Sequence, residues 1–192
     1  MAKKESTFTN MVLTLFIVTL VASSALGLIY KITKKPIEQG KLEKKTQAIR
    51  NVVPDFSNDP LEESFTKTID GFEIVLYPAK KDGKLVGMAV STITTKGFSG
   101  EIKLMVGFKP DGTINNIAVL QHKETPGLGD KMEKSKSDWS LQFNGKDPEN
   151  FNLFVQKDGG DVDAITASTI SSRAYCDAVR RAYDAFKKRS EQ

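Results

Sequence analysis

An uncharged apolar run, Met11–Tyr30, constrains the fold of this chain more than any other feature. The run reads MVLTLFIVTLVASSALGLIY and has no charged residue. Roughly 20 helical residues, each rising about 1.5 Å, cross a hydrocarbon core of about 30 Å. We therefore predict an N-terminal tail over 1–10, a transmembrane helix over 11–30, a solvated helical stalk over 31–53 and a folded domain over 54–192.

A cleaved signal peptide is the alternative interpretation of the same run. Lys3 and Lys4 precede it, and Ser23-Ser24-Ala25 resembles a small-residue cleavage site. The apolar residues continue past that site to Ile29, which favours an uncleaved anchor. The lysines after the run outnumber Lys3 and Lys4 and by themselves predict a cytoplasmic domain, but this charge rule loses force for long translocated domains.

The composition excludes several classes of site. Cys176 is the only cysteine and His122 the only histidine, so an intrachain disulfide, a structural zinc site and an iron–sulfur cluster have no ligands. We predict no metal site, a structural His122, and a buried Cys176 without a chemical role. Basic residues are in excess at the two ends of the chain and the middle is mildly acidic, which argues against nucleic-acid binding.

The domain has the pattern of an α+β fold, an antiparallel sheet packed with helices. There are four β-type runs, and turn signals that end in Asp-Gly follow the first and the third: Phe72–Tyr77, Lys84–Thr95, Glu101–Lys109 and Ile114–Gln121. A Gly/Pro loop follows, and then a short helix near Asp130–Ser135, a strand at Phe151–Gln156 and a long final helix. The final helix has one apolar stripe that is predicted to pack on the sheet: Ile170, Ala174, Ala178, Ala182 and Ala185, beside Val179 and Phe186.

The entrance to that helix, Asp161–Arg173, is rich in hydroxyl residues. Its sequence, DVDAITASTISSR, is typical of a helix N-cap with spare capping residues. A helix N-terminus also has unpaired N–H groups that bind phosphate, and a threonine there can be esterified by a phosphoryl group. From the residues alone both interpretations stay open.

At this point the chain resembles a known family, which comprises the G subunit of the Rnf electron-transport complex and the related C subunit of the sodium-pumping NADH:quinone reductase. The resemblance covers the whole chain and includes a flavinylation motif that ends in threonine, matched by Thr166-Ala167-Ser168-Thr169 and followed by Ile170. It implies an FMN-binding domain with FMN joined to Thr169 by a phosphoester. Ala167 stands where the family usually has glycine, so a positive φ there would cost about 1 kcal/mol or more.

The resemblance also implies a site for the flavin ring. The Pro-Gly loop, HKETPGLGDK over His122–Lys131, approaches the ring in the family, and we expect ring contacts from part of it: Glu124, Thr125, Gly127, Leu128 and Gly129. We interpret Glu124 and Asp130 as loop-ordering or ring-contacting groups rather than a general acid/base pair. The Lys96–Gly100 hairpin is a weaker match, in which an edge of the flavin would rest on Phe98 and Ser99.

The function implied by this resemblance is electron transfer within a membrane complex. The chain would be an electron-carrying subunit of a ferredoxin:NAD oxidoreductase that couples electron transfer to the movement of Na⁺ or H⁺. Its partners would be the other membrane subunits and a flavin transferase that uses FAD. The resemblance also implies a single-pass protein of a bacterial or archaeal inner membrane, with the FMN domain on the outer side. The C subunit of the quinone reductase and an anchored assembly protein without redox function remain alternatives.

Overall fold

A computed structural model describes residues 7–190 of the chain, in which two long helices accompany one sheet. The elements are helix α1 (Phe8–Val52), strands β1 (Phe65–Ile69), β2 (Phe72–Lys81), β3 (Lys84–Gly97), β4 (Gly100–Phe108) and β5 (Ile114–Gln121), and helix α2 (Thr169–Lys187). Short 3₁₀ helices lie between β5 and α2 and after α2. Most of the predicted tail, including Lys3 and Lys4, lies outside the described residues.

Helix α1 is continuous through the predicted transmembrane and stalk segments. An 18-residue window within it has a mean hydropathy of 2.4, and the helix is long and apolar enough to cross a membrane. The hydroxyls of Thr14 and Thr19 donate to carbonyls of the preceding turn, at 2.7 Å and 2.9 Å, which reduces the cost of placing them in an apolar environment. The first compact unit of the chain ends at Glu43 and the second begins at Lys44.

The last turns of α1 belong to the second unit and are not a solvated connector. Ala48, Ile49 and Val52 are buried against one face of the sheet, where they meet Tyr77 and Met105. The prediction of a solvated stalk is wrong for this segment. Its apolar residues recur about one helical turn apart and form a continuous face that packs on the sheet. The compact unit therefore includes residues from Lys44 onward, whereas the sequence predicts the domain from residue 54.

The end of α1 approaches β4 and β5 very closely. A Cβ built on Gly107 would lie 1.8 Å from the Val52 carbonyl oxygen, so only glycine is compatible with this packing. The side-chain amides of Asn115 and Asn116 donate to the carbonyls of Val52 and Asn51 at 2.8 Å and 2.9 Å. These bonds satisfy carbonyls that the end of a helix otherwise leaves without partners.

The strands form an antiparallel meander in the order β1-β2-β3-β4-β5, as predicted for the sheet. β1 and β2 meet at Asp70-Gly71, with φ of 50° and 80°, and β2 and β3 at Asp82-Gly83, with φ of 51° and 76°. Positive φ at both central residues is the geometry of the tight turns that join antiparallel strands. The sequence patterns identified the second of these turns and missed the first, and with it β1.

The main core lies between the sheet and α2. Most of the predicted stripe of α2 is buried there, including Ala174, Ala178, Ala182 and Phe186. Ile170 is the exception: its side chain is 48% exposed, so its assignment to the core stripe is wrong. It lies in the first turn of α2.

The segment between β5 and α2 differs most from the sequence prediction. The predicted strand over 151–156 is absent: Val155 forms a single bridge with Val162, and the next residues form a 3₁₀ helix, Gln156–Asp158. The chain folds back so tightly that a Cβ on Gly160 would lie 2.0 Å from the Phe154 carbonyl oxygen, which leaves no room for an extended strand. The predicted short helix is a 3₁₀ helix over Gly129–Met132, and the sequence patterns gave no sign of the 3₁₀ helix over Asp138–Phe143.

Candidate functional site

Three segments that are distant in sequence line one cavity of about 350 Å³, which we call the site cavity. They are the β3–β4 hairpin, the Pro-Gly loop and the first turn of α2. The lining residues are Phe98, Glu124, Thr125, Leu128, Gly129, Ala167, Ser168, Thr169, Ile170 and Ser171. The volume falls in the range of small-molecule and cofactor sites. Most residues singled out in the sequence therefore face one space.

The five hydroxyl residues at the entrance to α2 have different surroundings. Ser172 accepts from the Ile165 amide at 2.9 Å and donates to the Ser168 carbonyl at 3.0 Å, so it stabilises the start of the helix. Ser171 donates to Glu124 at 2.5 Å. Thr166 is exposed and does not line the site cavity, whereas Thr169 lines it and is partly exposed. Within residues 7–190 no side-chain hydrogen bond involves the Thr169 hydroxyl.

The backbone before α2 is held in an uncommon conformation. Ala167 has φ of 61°, in the left-handed region, which costs an L-residue about 1–2 kcal/mol relative to ordinary backbone. The following residue, Ser168, is the N-cap of α2, and its side chain makes no capping hydrogen bond. The first N–H groups of a helix have no intrahelical acceptors, and the dipole there is positive. The first turn of α2 thus offers an anion-binding end at the wall of the site cavity.

The Pro-Gly loop contains the predicted turn. The Leu128 amide donates to the Thr125 carbonyl at 3.2 Å, and Gly127 has φ of 78°, which together with Pro126 matches a type II turn. Gly127 does not line the site cavity. Glycine is favoured at this position because the turn requires a positive φ. Gly129 does line the cavity, and a Cβ there would lie 2.7 Å from the Ser171 hydroxyl and 2.8 Å from Glu124 Cβ.

Glu124 connects all three segments. Its carboxylate accepts from the Ser99 amide at 2.9 Å through Oε1 and from the Ser171 hydroxyl at 2.5 Å through Oε2. Its own amide donates to His122 Nδ1 at 3.0 Å. The side chain is only 5% exposed. Ser99 therefore supports the site through its backbone, although it does not line the site cavity.

His122 makes a hydrogen bond through each of its ring nitrogens. Nδ1 accepts from the Glu124 amide, so Nε2 carries the proton in the neutral ring and donates to Glu133 Oε1 at 2.9 Å. Cys176 is buried, and burial raises the pKa of its thiol to about 12. Residues 7–190 contain no group of three or more His, Cys, Asp or Glu side chains placed to hold a metal ion.

The rim of the site cavity is apolar. Phe98, at the tip of the β3–β4 hairpin, is 68% exposed, and Leu128 and Ile170 are also exposed large apolar residues. Exposed apolar side chains grouped around a cavity mark a binding surface for an apolar group. The hairpin is held on α2 by Lys96, whose ammonium lies 2.7 Å from Asp177 Oδ1.

Asp177 is the centre of a buried polar network next to the site. It accepts from Thr94 at 2.8 Å, from Lys96 at 2.7 Å and from Arg181 at 3.0 Å. Burial alone would raise the pKa of its carboxyl, but the hydrogen bonds from Lys96 and Thr94 and the charge of Arg181 outweigh burial and lower it. The network fixes the hairpin and the middle of α2 to each other.

Sequence reasoning missed Ser171 as a member of the site. In the sequence this residue is only part of the helix start, because no local pattern distinguishes one hydroxyl residue of the run from the next. Its partner, Glu124, is 47 residues away in sequence. The contact depends on how the Pro-Gly loop packs on α2, so the sequence alone had no means of finding it.

Residues 97–184 match the FMN-binding domain family, a range that contains the whole site cavity. The chain is 35% identical over 181 residues to the G subunit of the ion-translocating oxidoreductase complex of Vibrio cholerae, with 90% of this chain and 87% of the relative covered. The G subunit of Erwinia tasmaniensis is 36% identical over 177 residues, covering 88% and 84%, and that of Shewanella piezotolerans is 32% identical over 190 residues, covering 94% and 89%. The chain therefore belongs to the family of G subunits of ion-translocating oxidoreductase complexes, with an FMN-binding domain.

Proposed function

We propose that this chain is a membrane-anchored flavoprotein subunit of an ion-translocating oxidoreductase complex, and that it relays electrons through an FMN esterified to Thr169. The observation that carries the proposal is the site cavity, in which an available threonine hydroxyl, a helix N-terminus and an apolar rim face one space. The family membership supports the cofactor and the kind of complex.

The residues of the site cavity fit the chemistry of FMN. Its flat, largely apolar ring suits the rim formed by Phe98, Leu128 and Ile170, and its phosphate suits the first turn of α2. Bound FMN supplies one- and two-electron redox chemistry, while the protein positions it and controls its electrostatics. No separate substrate pocket is needed for a subunit that only passes electrons.

Thr169 is the best supported acceptor among the hydroxyl residues. Ser171 and Ser172 are committed to structural hydrogen bonds, Thr166 lies outside the site cavity, and Ser168 is buried, at 8% exposed. A flavin transferase that uses FAD would form a P–O bond to the Thr169 oxygen as the FAD pyrophosphate bond breaks and AMP leaves. The hydroxyl proton would pass to a base of the transferase or to solvent. Partial exposure of Thr169 leaves it within reach of that enzyme.

The anchor and the relatives together indicate the setting of the domain. The apolar segment of α1 would hold the chain in the membrane as a single-pass, uncleaved anchor. The relatives are named as subunits of a complex, which supports the other membrane subunits as partners. We place the FMN domain on the outer side of the inner membrane, and the relatives favour the G subunit over the C subunit of the quinone reductase.

Covalent attachment is tested by denaturing electrophoresis of the chain expressed with a flavin transferase. The parent should give a fluorescent flavin band, and Thr169→Ala should lose it completely. Ser168→Ala and Thr166→Ala are matched controls from the same motif and should keep the band. A band that persists in folded Thr169→Ala would refute the acceptor, and a parent chain without any flavin would favour the assembly-protein alternative.

Topology has its own test. A reporter that is active only outside the cytoplasm, fused to the C-terminus, should be active if the FMN domain faces the outer side. A stably produced but inactive fusion would show that the FMN domain faces the cytoplasm. Retention of α1 in the mature membrane protein, measured by intact mass, separates the anchor from a cleaved signal peptide.

A further inference from the structure

We infer that Glu124 is a positioning residue of the flavin site and that its carboxylate, a fixed negative charge in the site cavity, lowers the reduction potential of the bound flavin. The inference rests on the proposed function. It concerns a property of the bound flavin that neither the family membership nor the covalent attachment to Thr169 determines. Three features of the carboxylate carry it: its position, its charge and its rigidity.

The position of Glu124 is set from three sides. The Ser99 amide binds Oε1 at 2.9 Å from the β3–β4 hairpin, and the Ser171 hydroxyl binds Oε2 at 2.5 Å from the first turn of α2. The Glu124 amide is held by His122 at 3.0 Å. The same residue lines the site cavity together with Thr169 and Phe98. One carboxylate thus joins every segment that surrounds the space for the flavin.

The carboxylate of Glu124 has only uncharged hydrogen-bond partners. Both of its oxygens accept hydrogen bonds, one from an N–H group and one from an O–H group. None of the ion pairs formed by residues 7–190 includes Glu124, whereas other carboxylates such as Asp177 and Asp158 are paired with basic side chains. The negative charge therefore acts on whatever occupies the site cavity.

Burial and packing make this charge effective. The side chain is 5% exposed, so water and salt screen it less than a surface charge. A Cβ on Gly129 would lie 2.8 Å from Oε2, which shows that the loop backbone closes tightly over the carboxylate and limits its movement. Reduction adds electrons to the flavin, and a nearby fixed negative charge makes that step less favourable. The expected result is a lower reduction potential.

The test compares charge removal with hydrogen-bond removal in the flavinylated full chain in detergent. Glu124→Gln has nearly the same shape, can still bond to Ser99 and Ser171, and has no charge. Ser171→Ala removes one of the same hydrogen bonds and leaves the charge. Glu101→Gln is a matched control, because Glu101 follows the same hairpin, pairs with Lys103 at 3.0 Å and does not line the site cavity.

Reduction potentials are measured by anaerobic spectroelectrochemical titration, after the fluorescent band has confirmed attachment. Glu124→Gln should shift the potential to a clearly more positive value, Ser171→Ala should shift it much less, and Glu101→Gln should leave it unchanged. An unchanged potential in flavinylated Glu124→Gln would overturn the inference. Equal shifts in Glu124→Gln and Ser171→Ala would also overturn it, because geometry rather than charge would then be the cause.

A second variant keeps the inference testable if Glu124→Gln does not fold. Leu128 lines the site cavity and is 39% exposed, so Leu128→Glu adds a charge at the rim, with Leu128→Gln as its uncharged control. Leu128→Glu should lower the potential relative to Leu128→Gln, and identical potentials would count against a charge effect in this cavity. Absence of attached flavin in the parent chain is a different result, since it contradicts the proposed function itself.

Discussion

The two parts of helix α2 are built in different ways. Its first turn follows a left-handed Ala167, has an N-cap without a side-chain hydrogen bond, and exposes Ile170 to 48% at the rim of the site cavity. From Ala174 onward the apolar face of the helix is buried against the sheet, and the ring centroids of Phe186 and Phe108 lie 4.9 Å apart. The first part lines the site cavity, whereas the apolar face of the second part is used in packing against the sheet.

This difference shows how one helix can serve both stability and binding. The packed part supplies apolar burial and the Asp177 network, in which polar groups bind one another. In the first turn, backbone amides have no intrahelical acceptors and the Thr169 hydroxyl lies at the wall of the site cavity. These groups remain available to a ligand because they take no part in packing. We therefore expect substitutions in the packed part to change stability, and substitutions at the first turn to change flavin binding.

Asp177→Ala should have the largest effect. It removes the partner of Arg181, which is 5% exposed, and leaves a buried guanidinium charge with one partner fewer. Breaking such a pair costs about 3–5 kcal/mol of unfolding free energy. Thermal unfolding in detergent measures the loss. The remaining folded protein should still carry flavin attached to Thr169, and a stable Asp177→Ala protein without flavin would contradict the separation of roles.

Asp177 should also make the stability of the folded protein decrease at acid pH. Its carboxyl has a lowered pKa in the folded state, so its contribution to stability is complete above the unfolded value of about 3.9 and is lost as the pH falls through the folded pKa. The melting temperature of the parent should fall more steeply below about pH 4 than that of Asp177→Asn. Parallel curves for the two proteins would show that other groups set the acid limit.

Gly129→Ala should have an intermediate effect that reaches the flavin. The new Cβ would lie 2.7 Å from the Ser171 hydroxyl and 2.8 Å from Glu124, so both side chains must move, at a cost of about 1–3 kcal/mol. The flavin absorption spectrum should change, with attachment to Thr169 preserved. Gly127→Ala is the control: nothing lies within 4 Å of its new Cβ, and only its φ of 78° is unfavourable. It should lose stability without a spectral change.

Ala167→Gly should have a smaller effect of opposite sign. Ala167 has φ of 61°, and glycine relieves that strain while it increases the conformational entropy of the unfolded chain. The net gain should be about 0.5–1 kcal/mol, seen as a rise of a few degrees in melting temperature. The fluorescent flavin band should be unchanged. A lower melting temperature would mean that the left-handed backbone is not strained in the folded protein.

The smallest perturbation is chemical labelling of Cys176 in the packed part. The thiol is 1% exposed and burial raises its pKa to about 12, so at pH 8 the thiolate fraction is roughly a thousandfold below that of an unfolded cysteine. Iodoacetamide should not react with the native chain and should react fully after unfolding. Rapid native labelling would show that this part of α2 opens to solvent.

Part of the fold could be predicted because it depends on local chemistry. The apolar run of α1 needed only its length and lack of charge, and the strands from Phe72 onward followed from their composition and from Asp-Gly turns. The same local rules failed over 151–156, where β-type residues fold back on Gly160, and at Ile170, which has the spacing of the apolar stripe but is exposed. β1 was missed because it is short and half-exposed.

Some features of the candidate site could likewise be predicted from the sequence, and others were found only in the structure. By itself the sequence showed an apolar run long enough to span a membrane, the hydroxyl-rich run that contains Thr169, and the Pro-Gly loop, because each is a contiguous run whose chemistry is local. The tertiary structure decided which hydroxyls are free, that the end of α1 packs against Gly107, and that Glu124 meets Ser171 across 47 residues. Such contacts depend on how closely two segments approach in space, and the sequence pattern of either segment does not indicate that distance.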